Sequence, residues 1–403
     1  MKRHLILIIA SINLVVLLWA YLPQQNNVDS YFLGLPIDKD VLDGFIQQEM
    51  ATRNIPGLAY AVINDGEVVH QNRFGYANLA DQTPISEETI FEGGSISKPM
   101  FAFFVMTFVE EGKLDLDRPL HDYFPHPDMG HDERAKHITA RMVLSHRSGF
   151  PNWRENEEDG QLRLYFEPGT DYLYSGEGYQ YLAMVLREIE QTDWAGLEQI
   201  FQERVAQPIG LEHTVYIQTA YTRANKAEPY DADGQRFDWE NGDWFLKEDG
   251  NFFAPSSLHS EPVDFAKWMI AVMNEKLLMP ASYAELLKRH STVPSNDIEL
   301  FYTLGFFTLP FPLNDVYAHS GNNVGFGSWF ALEQEKDWGF VMLTNSDNGE
   351  LFGEELLFYL LTGPNLTKFF AVVSVLALSA VCLLILGIGA ARGYWRGRRA
   401  SAG

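Results

Sequence analysis

Cysteine is almost missing from this 403-residue chain, which has one, Cys382. No intrachain disulfide can form, and a thiol nucleophile is excluded too, because Cys382 lies inside a long apolar run near the C-terminus. Positive charge is also scarce. Lys and Arg number 30 against 54 Asp and Glu, for a formal charge of −24. Six of those cations, Lys2, Arg3, Arg392, Arg396, Arg398 and Arg399, sit at the two ends, so the region between carries about −30. A surface that acidic repels a phosphate backbone, so nucleic acid is not expected as a partner. No repeat of fixed period is present. Gly93-Gly94 lacks the longer glycine pattern and the lysine placement of a phosphate loop. His126, Asp128, His131, Asp132 and His137 crowd one stretch, but their spacing matches no metal-ligand pattern, and Pro125, Pro127 and Gly130 mark it as a turn. Neither metal nor cofactor is expected.

The long apolar runs stand at the ends. Leu5 to Leu22, broken only by Ser11 and Asn13, follows Lys2 and Arg3 and reads as an N-terminal membrane anchor or signal peptide over residues 1–25. Phe369 to Ala391 is an unbroken run of apolar and small residues, followed by a basic tail over 392–403, and reads as a transmembrane helix. Both basic clusters lie outside the spans. By the bias of Lys and Arg toward the cytoplasm, both termini face that side and the intervening domain faces the other. An extracytoplasmic domain without disulfides suits a bacterial inner membrane, with the domain periplasmic or extracellular.

Between the ends, Asp38 to Thr52 shows helical spacing, and Leu58–Ile63 with Val68–Tyr76 forms a hairpin about Asp65-Gly66. A very apolar helix is expected from about Ser95 through Glu111, stopped by Gly112. Further helices are expected over Thr139–His146, Ser175–Gln191, Trp194–Arg204 and Pro262–Met273. The acidic, aromatic stretch Tyr230–Gly250, with Trp239, Trp244 and Phe245, reads as a lid or cleft wall, or as a packed surface loop. Strands are expected over Leu300–Leu309, Val316–His319, Phe326–Glu333 and Trp338–Leu343, then a helix over Glu350–Leu361. The fold class is therefore α+β: an antiparallel sheet from about 38–115 and 295–361, flanked by helices, with a mostly helical region inserted at about 116–290.

The chemistry concentrates at Phe91-Glu92-Gly93-Gly94-Ser95-Ile96-Ser97-Lys98. Ser and Lys three apart at a helix start fall one turn from each other, so the amine reaches the hydroxyl and eases removal of its proton. The helix N-terminus favours the developing negative charge. The glycines before Ser95 permit close backbone approach. Taken alone, the spacing equally suits Ser95 as a helix cap with Lys98 reaching solvent.

This segment resembles the nucleophile motif of the serine beta-lactamase and penicillin-binding protein superfamily, in its class C and esterase or D-peptidase-like branch. Ile138 to Pro151 (ITARMVLSHRSGFP), Pro168 to Tyr181 (PGTDYLYSGEGYQY) and His319-Ser320-Gly321 resemble further segments of that branch, in the same order. The resemblance implies a beta-lactamase/transpeptidase-like domain over 38–361. It implies Ser95 as nucleophile, Lys98 as the group that holds and relays its proton, and Tyr174 as the phenolate or hydrogen-bonding partner that protonates the leaving group. It also implies His319 in the third motif and an oxyanion hole from the backbone amides of Ser95 and Asn322. Gly176, Glu177, Ser320 and Gly321 are implied to support or bind substrate. His146 is expected to hold its turn rather than to act in catalysis.

Two departures matter. The second motif reads Tyr174-Ser175-Gly176 where the lactamases carry Asn at the third position, so the amide that contacts a beta-lactam side chain is absent. The third motif has His319 in place of Lys; neutral, it offers one hydrogen bond rather than a fixed charge for a substrate carboxylate. The expected function is a serine hydrolase acting through a Ser95 acyl-enzyme on an ester, peptide or other small-molecule amide. A beta-lactamase and a catalytically silent envelope binding module are the alternatives.

Overall fold

The computed structural model describes residues 11, 13–21, 26–237, 250–295, 299–311 and 314–400. The chain divides into two compact units, Phe45–Glu355 and a second made of Met1–Gly44 with Leu356–Gly403.

In the larger unit the early hairpin and the late strands join one nine-stranded antiparallel sheet. Its strands are β1 (Gly57–Asn64), β2 (Glu67–Asn78), β3 (Thr83–Pro84), β4 (Ser291–Val293), β5 (Leu300–Tyr302), β6 (Phe307–Pro310), β7 (Asp315–Asn323), β8 (Phe326–Glu333) and β9 (Trp338–Thr344), in the order β3-β2-β1-β9-β8-β7-β6-β5-β4. The two ends of the unit meet where β1 pairs β9, from Leu58 opposite Thr344 to Ile63 opposite Gly339. Every residue of β1 and of β9 is buried, which is why both read as continuous apolar runs rather than alternating ones.

Leu300 to Leu309 departs from the single strand expected of it. It folds into the β5–β6 hairpin, with Thr303 N–H donating to Phe306 O at 2.8 Å and Gly305 at φ +102°. A Cβ on Gly305 would lie 2.8 Å from Ala102 Cβ, so the turn needs glycine for its backbone and for its seat on the next helix. β7 runs past His319 to Asn323. β6 pairs it only as far as Ala318, whereas β8 pairs it to the end. Among the described residues, His319 to Asn323 therefore leave one strand edge open.

The labelled helices are α1 (Lys39–Thr52), α2 (Ser97–Glu110), α3 (Ala140–Leu144), α4 (Gly176–Ile189), α5 (Pro262–Met273), α6 (Gly349–Thr362) and α7 (Leu366–Ala400). The nucleophile segment is not one helix from Ser95. Gly94–Ile96 forms a 3₁₀ turn with Gly94 at φ +53°, a left-handed backbone that an α-helix cannot include, and α2 starts at Ser97. From Ser97 to Met106 every residue of α2 is buried. α5 seats Trp268 against the sheet, its ring parallel to Phe306 at 6.1 Å and edge-on to Phe330 at 5.7 Å. α4 is capped by Ser175, whose Oγ accepts from Gly178 N–H.

In the smaller unit, Asn27–Asp29 pairs Pro36–Asp38, and the amides of Tyr31 and Phe32 donate to Leu360 O and Leu361 O. Residues 13–20 are helical, and Ala20, Leu35 and Val372 share a small apolar core. Asn13 Nδ2 donates to Ser379 Oγ at 2.6 Å. Within α7, Leu366–Ile385 is 20 residues long and apolar enough to cross a membrane, with only 11% of it buried. The first apolar run falls partly on residues 1–10, 12 and 22, outside the described residues. Trp239, Trp244 and Phe245 of the acidic, aromatic stretch also lie outside them.

Trp268→Ala removes the largest fully buried side chain from the α5–sheet interface and should cost about 3–5 kcal/mol of stability. Urea unfolding followed by circular dichroism would measure it, and a loss under about 1 kcal/mol would show that the interface collapses around the gap.

Candidate active site

Ser95 is held on a backbone that two glycines allow to come close. A Cβ on Gly94 would lie 2.8 Å from Asn322 N, and one on Gly321 would lie 2.1 Å from Gly93 O and 2.9 Å from Ser95 N. The nucleophile turn thus rests on β7 at Gly321 with no side chain between. The turn is tied from behind as well. Ser328 Oγ donates to Gly93 O at 2.6 Å, Ser97 Oγ donates to Gly94 O at 2.5 Å, and Tyr216 Oη donates to Ser97 O at 2.8 Å. Glu92, buried just before it, accepts from Lys226 at 2.6 Å and from Asn323 Nδ2 at 2.7 Å.

Ser95 is half-buried and Lys98 fully buried. Lys98 Nζ lies 3.0 Å from Ser95 Oγ, donates to Pro255 O at 3.1 Å and stands 4.6 Å from the centre of the Tyr174 ring. The Tyr174 hydroxyl is close enough to Ser95 for the serine to lower its pKa. Burial pushes the Lys98 amine well below its ordinary pKa, and burial raises the Tyr174 phenol well above its own, against that lowering by Ser95. Both shifts favour the uncharged forms, an amine and a phenol beside the serine.

His146 fixes Tyr174. Its carbonyl accepts from Leu173 N–H at 2.9 Å and its Nδ1 accepts from Ser175 N–H at 3.0 Å, which clamps the residues on either side of the phenol. With Nδ1 accepting, the ring proton sits on Nε2, which has no hydrogen-bond partner among the described residues. The ring lies 4.2 Å from that of Tyr174. Phe307 stacks parallel on the other side of Tyr174 at 6.3 Å.

His319 stands beside this group, though not as a donor to substrate. It is 1% exposed, and burial, with the nearby Lys98, pushes its pKa down to about 3. A neutral ring has one N–H, and Nδ1 lies 2.5 Å from Ser320 O, a carbonyl that can only accept. Nε2 lies 3.0 Å from Tyr302 Oη, whose one proton is shared between it and Gly305 O at 3.0 Å. Both nitrogens are engaged inside the fold, so the hydrogen bond to substrate expected of His319 is not on offer. The residue ties β7 to β5 instead.

The second motif also differs from expectation. Glu177 does not face the serine: its two oxygens accept from Arg154 Nε at 2.9 Å and Nη2 at 2.7 Å, and from Arg154 N–H at 3.1 Å. Gly176 has no room for a side chain, because a Cβ would lie 2.4 Å from the Trp153 ring. Trp153, stacked on Phe253 at 5.6 Å and 6.0 Å from Lys98 Nζ, forms an aromatic wall where the lactamase Asn is missing. Ser320 Oγ donates to Glu350 Oε1 at 2.6 Å. The supposed metal stretch has other partners: Asp128 accepts from Arg154 at 2.7 Å, and Asp132 accepts from Arg134. Sequence reasoning missed Trp153, Tyr302 and Glu350, which belong to no motif and reach the site only through the fold.

The four segments fall into one cleft, and the sequence pattern of one family, Beta-lactamase, matches residues 42–362. The chain belongs to the beta-lactamase family. Among curated relatives, "Protein flp" of Staphylococcus aureus (strain MW2) is 23% identical over 325 residues, covering 75% of this chain. The match covers 62% of that protein's length. Two solved structures share the fold. The octameric penicillin-binding protein homologue from Pyrococcus abyssi has a TM-score of 0.67 at 22% identity, covering 81% of this chain and 77% of its own. The D-amino acid amidase from Ochrobactrum anthropi has a TM-score of 0.64 at 20% identity, covering 79% of this chain and 98% of its own.

The glycine contacts of this beta-lactamase-family site give a direct test. Gly321→Ala places a methyl group against Gly93 O and should lower kcat on any productive ester by about 100-fold with the fold intact, since misplacement by about 1 Å costs that much. Steady-state kinetics beside circular dichroism would show it; full activity would mean that the turn tolerates retreat from β7.

Proposed function

We propose that this chain is a serine hydrolase that cleaves ester or amide bonds through an acyl-enzyme at Ser95. The observation that carries this reading is Lys98 Nζ at 3.0 Å from Ser95 Oγ, with the amine pushed toward its neutral form by burial. Neutral Lys98 takes the Ser95 proton as Oγ attacks the substrate carbonyl. The negative charge that forms on the carbonyl oxygen is met by the backbone N–H groups of Ser95 and Asn322. When the tetrahedral intermediate collapses, Tyr174 gives its proton to the departing alcohol or amine and recovers it from the Lys98 ammonium. Water then attacks the acyl carbon and gives a proton to Lys98, which passes it to Ser95 Oγ as the acyl–oxygen bond breaks, so that the acid leaves and the neutral amine and the hydroxyl are restored.

The walls of the cleft narrow the substrate. Trp153, Phe253 and Phe307 favour an apolar acyl group. Neither His319 nor Gly176 offers the contacts that a lactamase gives its antibiotic, which supports an esterase or amidase over a beta-lactamase. The D-amino acid amidase that shares the fold agrees in reaction class. We also infer that Leu366–Ile385 anchors the protein in a membrane, with Arg392, Arg396, Arg398 and Arg399 on the cytoplasmic side and the hydrolase domain opposite. The N-terminal run adds a second anchor or a signal peptide.

Two measurements test the catalytic reading. A fluorophosphonate should add one equivalent to the wild type, mapped to Ser95 by mass spectrometry, and none to Ser95→Ala; a folded wild type that takes no label would sink the reading. With a nitrophenyl ester, kcat/KM should fall about tenfold per pH unit below the depressed pKa of Lys98, because protonation removes the base. Lys98→Arg, charged at every accessible pH, should be inactive throughout, and Tyr174→Phe should lose roughly 100- to 10,000-fold in kcat.

A further inference from the structure

Glu350 stands in the first turn of α6, against β7 and β8. Its Oε1 accepts from Ser320 Oγ at 2.6 Å, which fixes the carboxylate against the strand. The attachment is close, since α6 begins directly on β8: a Cβ on Gly327 would lie 2.5 Å from Glu350 N. Ser320 is two residues before Asn322, and two residues of strand span about 7 Å. The carboxylate is therefore tied to β7 about two residues from the Asn322 amide. It is half-buried, and among the described residues no Lys, Arg or His pairs with it. The Lys98 amine is buried, pushed toward its neutral form, and held by Ser95 and Pro255 O. The Tyr174 phenol, raised chiefly by burial, is also raised by the charge of Glu350, so this carboxylate is felt at the reacting group. A half-buried anion beside the cleft, hydrogen-bonded by one hydroxyl and lacking a counter-ion, attracts a cation on the substrate and repels an anion.

We propose that Glu350 is a specificity-determining residue that selects substrates carrying an ammonium group one substituent from the scissile carbonyl, such as amides or esters of amino acids with a free amine, and rejects those carrying a carboxylate there. This rests on the hydrolase reading given above. The amine donates to the Glu350 carboxylate while the carbonyl lies against the β7 edge. The same charge disfavours the anionic beta-lactam antibiotics independently of the missing Asn.

The test uses the full chain in detergent and three p-nitroanilides with one leaving group: alanine p-nitroanilide, cationic; N-acetylalanine p-nitroanilide, neutral; and N-succinylalanine p-nitroanilide, anionic, each as both enantiomers. p-Nitrophenyl butyrate reports on the catalytic machinery. The readout is kcat/KM for each charged substrate divided by that for the neutral one. The wild type should favour the cation, and the preference should weaken as salt rises from 0.05 to 0.5 M, by the general rule that ions screen exposed charges. Glu350→Gln should lower the cation-to-neutral ratio by roughly 10- to 100-fold and raise the anion-to-neutral ratio. Glu350→Lys should invert the order. If Gln and Lys move all three substrates alike, Glu350 only stabilises the first turn of α6 and the proposal is overturned, while butyrate hydrolysis leaves the hydrolase reading standing. If the wild type hydrolyses neither butyrate nor any anilide, the hydrolase reading fails and the proposal fails with it.

Discussion

The structure depends on a contact between two stretches of bare backbone, Gly93–Ser95 and Gly321–Asn322. An active serine must stand where substrate can reach it and yet not move. A helix start alone does not give that, because its first turn frays unless something is packed against it. Here the turn is pressed on β7 at Gly321 and tied by the hydroxyls of Ser97, Ser328 and Tyr216. The apolar length of α2 locks the other side: Met100, Phe101, Phe103 and Phe104 are fully buried, so the helix cannot slide without opening the core.

Burial does the chemical tuning from the same geometry. Lys98 is fully inside, and desolvation alone pushes its amine toward neutrality. Tyr174 is equally enclosed, and desolvation pushes its phenol the other way. One low-dielectric pocket thus separates an acid and a base whose free pKa values differ little. His146 and His319 are enclosed by the same aromatic rings and stay neutral, so they lend shape and hydrogen bonds without adding charge that would compete with Lys98.

Much of this was legible in the sequence, for physical reasons that differ by residue. The α5 boundaries, Pro262 to Met273, coincide with expectation because Pro at the first turn and an apolar periodicity both mark them. Phe326–Glu333 was equally plain, as a strand buried along almost its whole length. The hairpin within Leu300–Leu309 was not, because Gly305 inside an apolar run reads as a weak strand residue until its seat on Ala102 is seen. Ser95 and Lys98 stood one turn apart, and the resemblance of their segment and of Tyr174's to family motifs singled out all three. The roles of His319 and Glu177 were not legible, since spacing says nothing of which way a ring or carboxylate turns; Tyr302 and Arg154 decide that, and they are distant in sequence. Trp153 and Glu350 carry no motif at all.

The open edge of β7 has a further consequence. An unpaired strand edge is a template on which another chain can add a strand, and proteins cover such edges to stay apart. Across His319 to Asn323 the uncovered stretch is five residues long, and the nucleophile turn packs on its face at Gly321 rather than along it. The edge that could receive a substrate backbone is thus also one on which a second chain could add, and its shortness limits how many hydrogen bonds such an addition would gain.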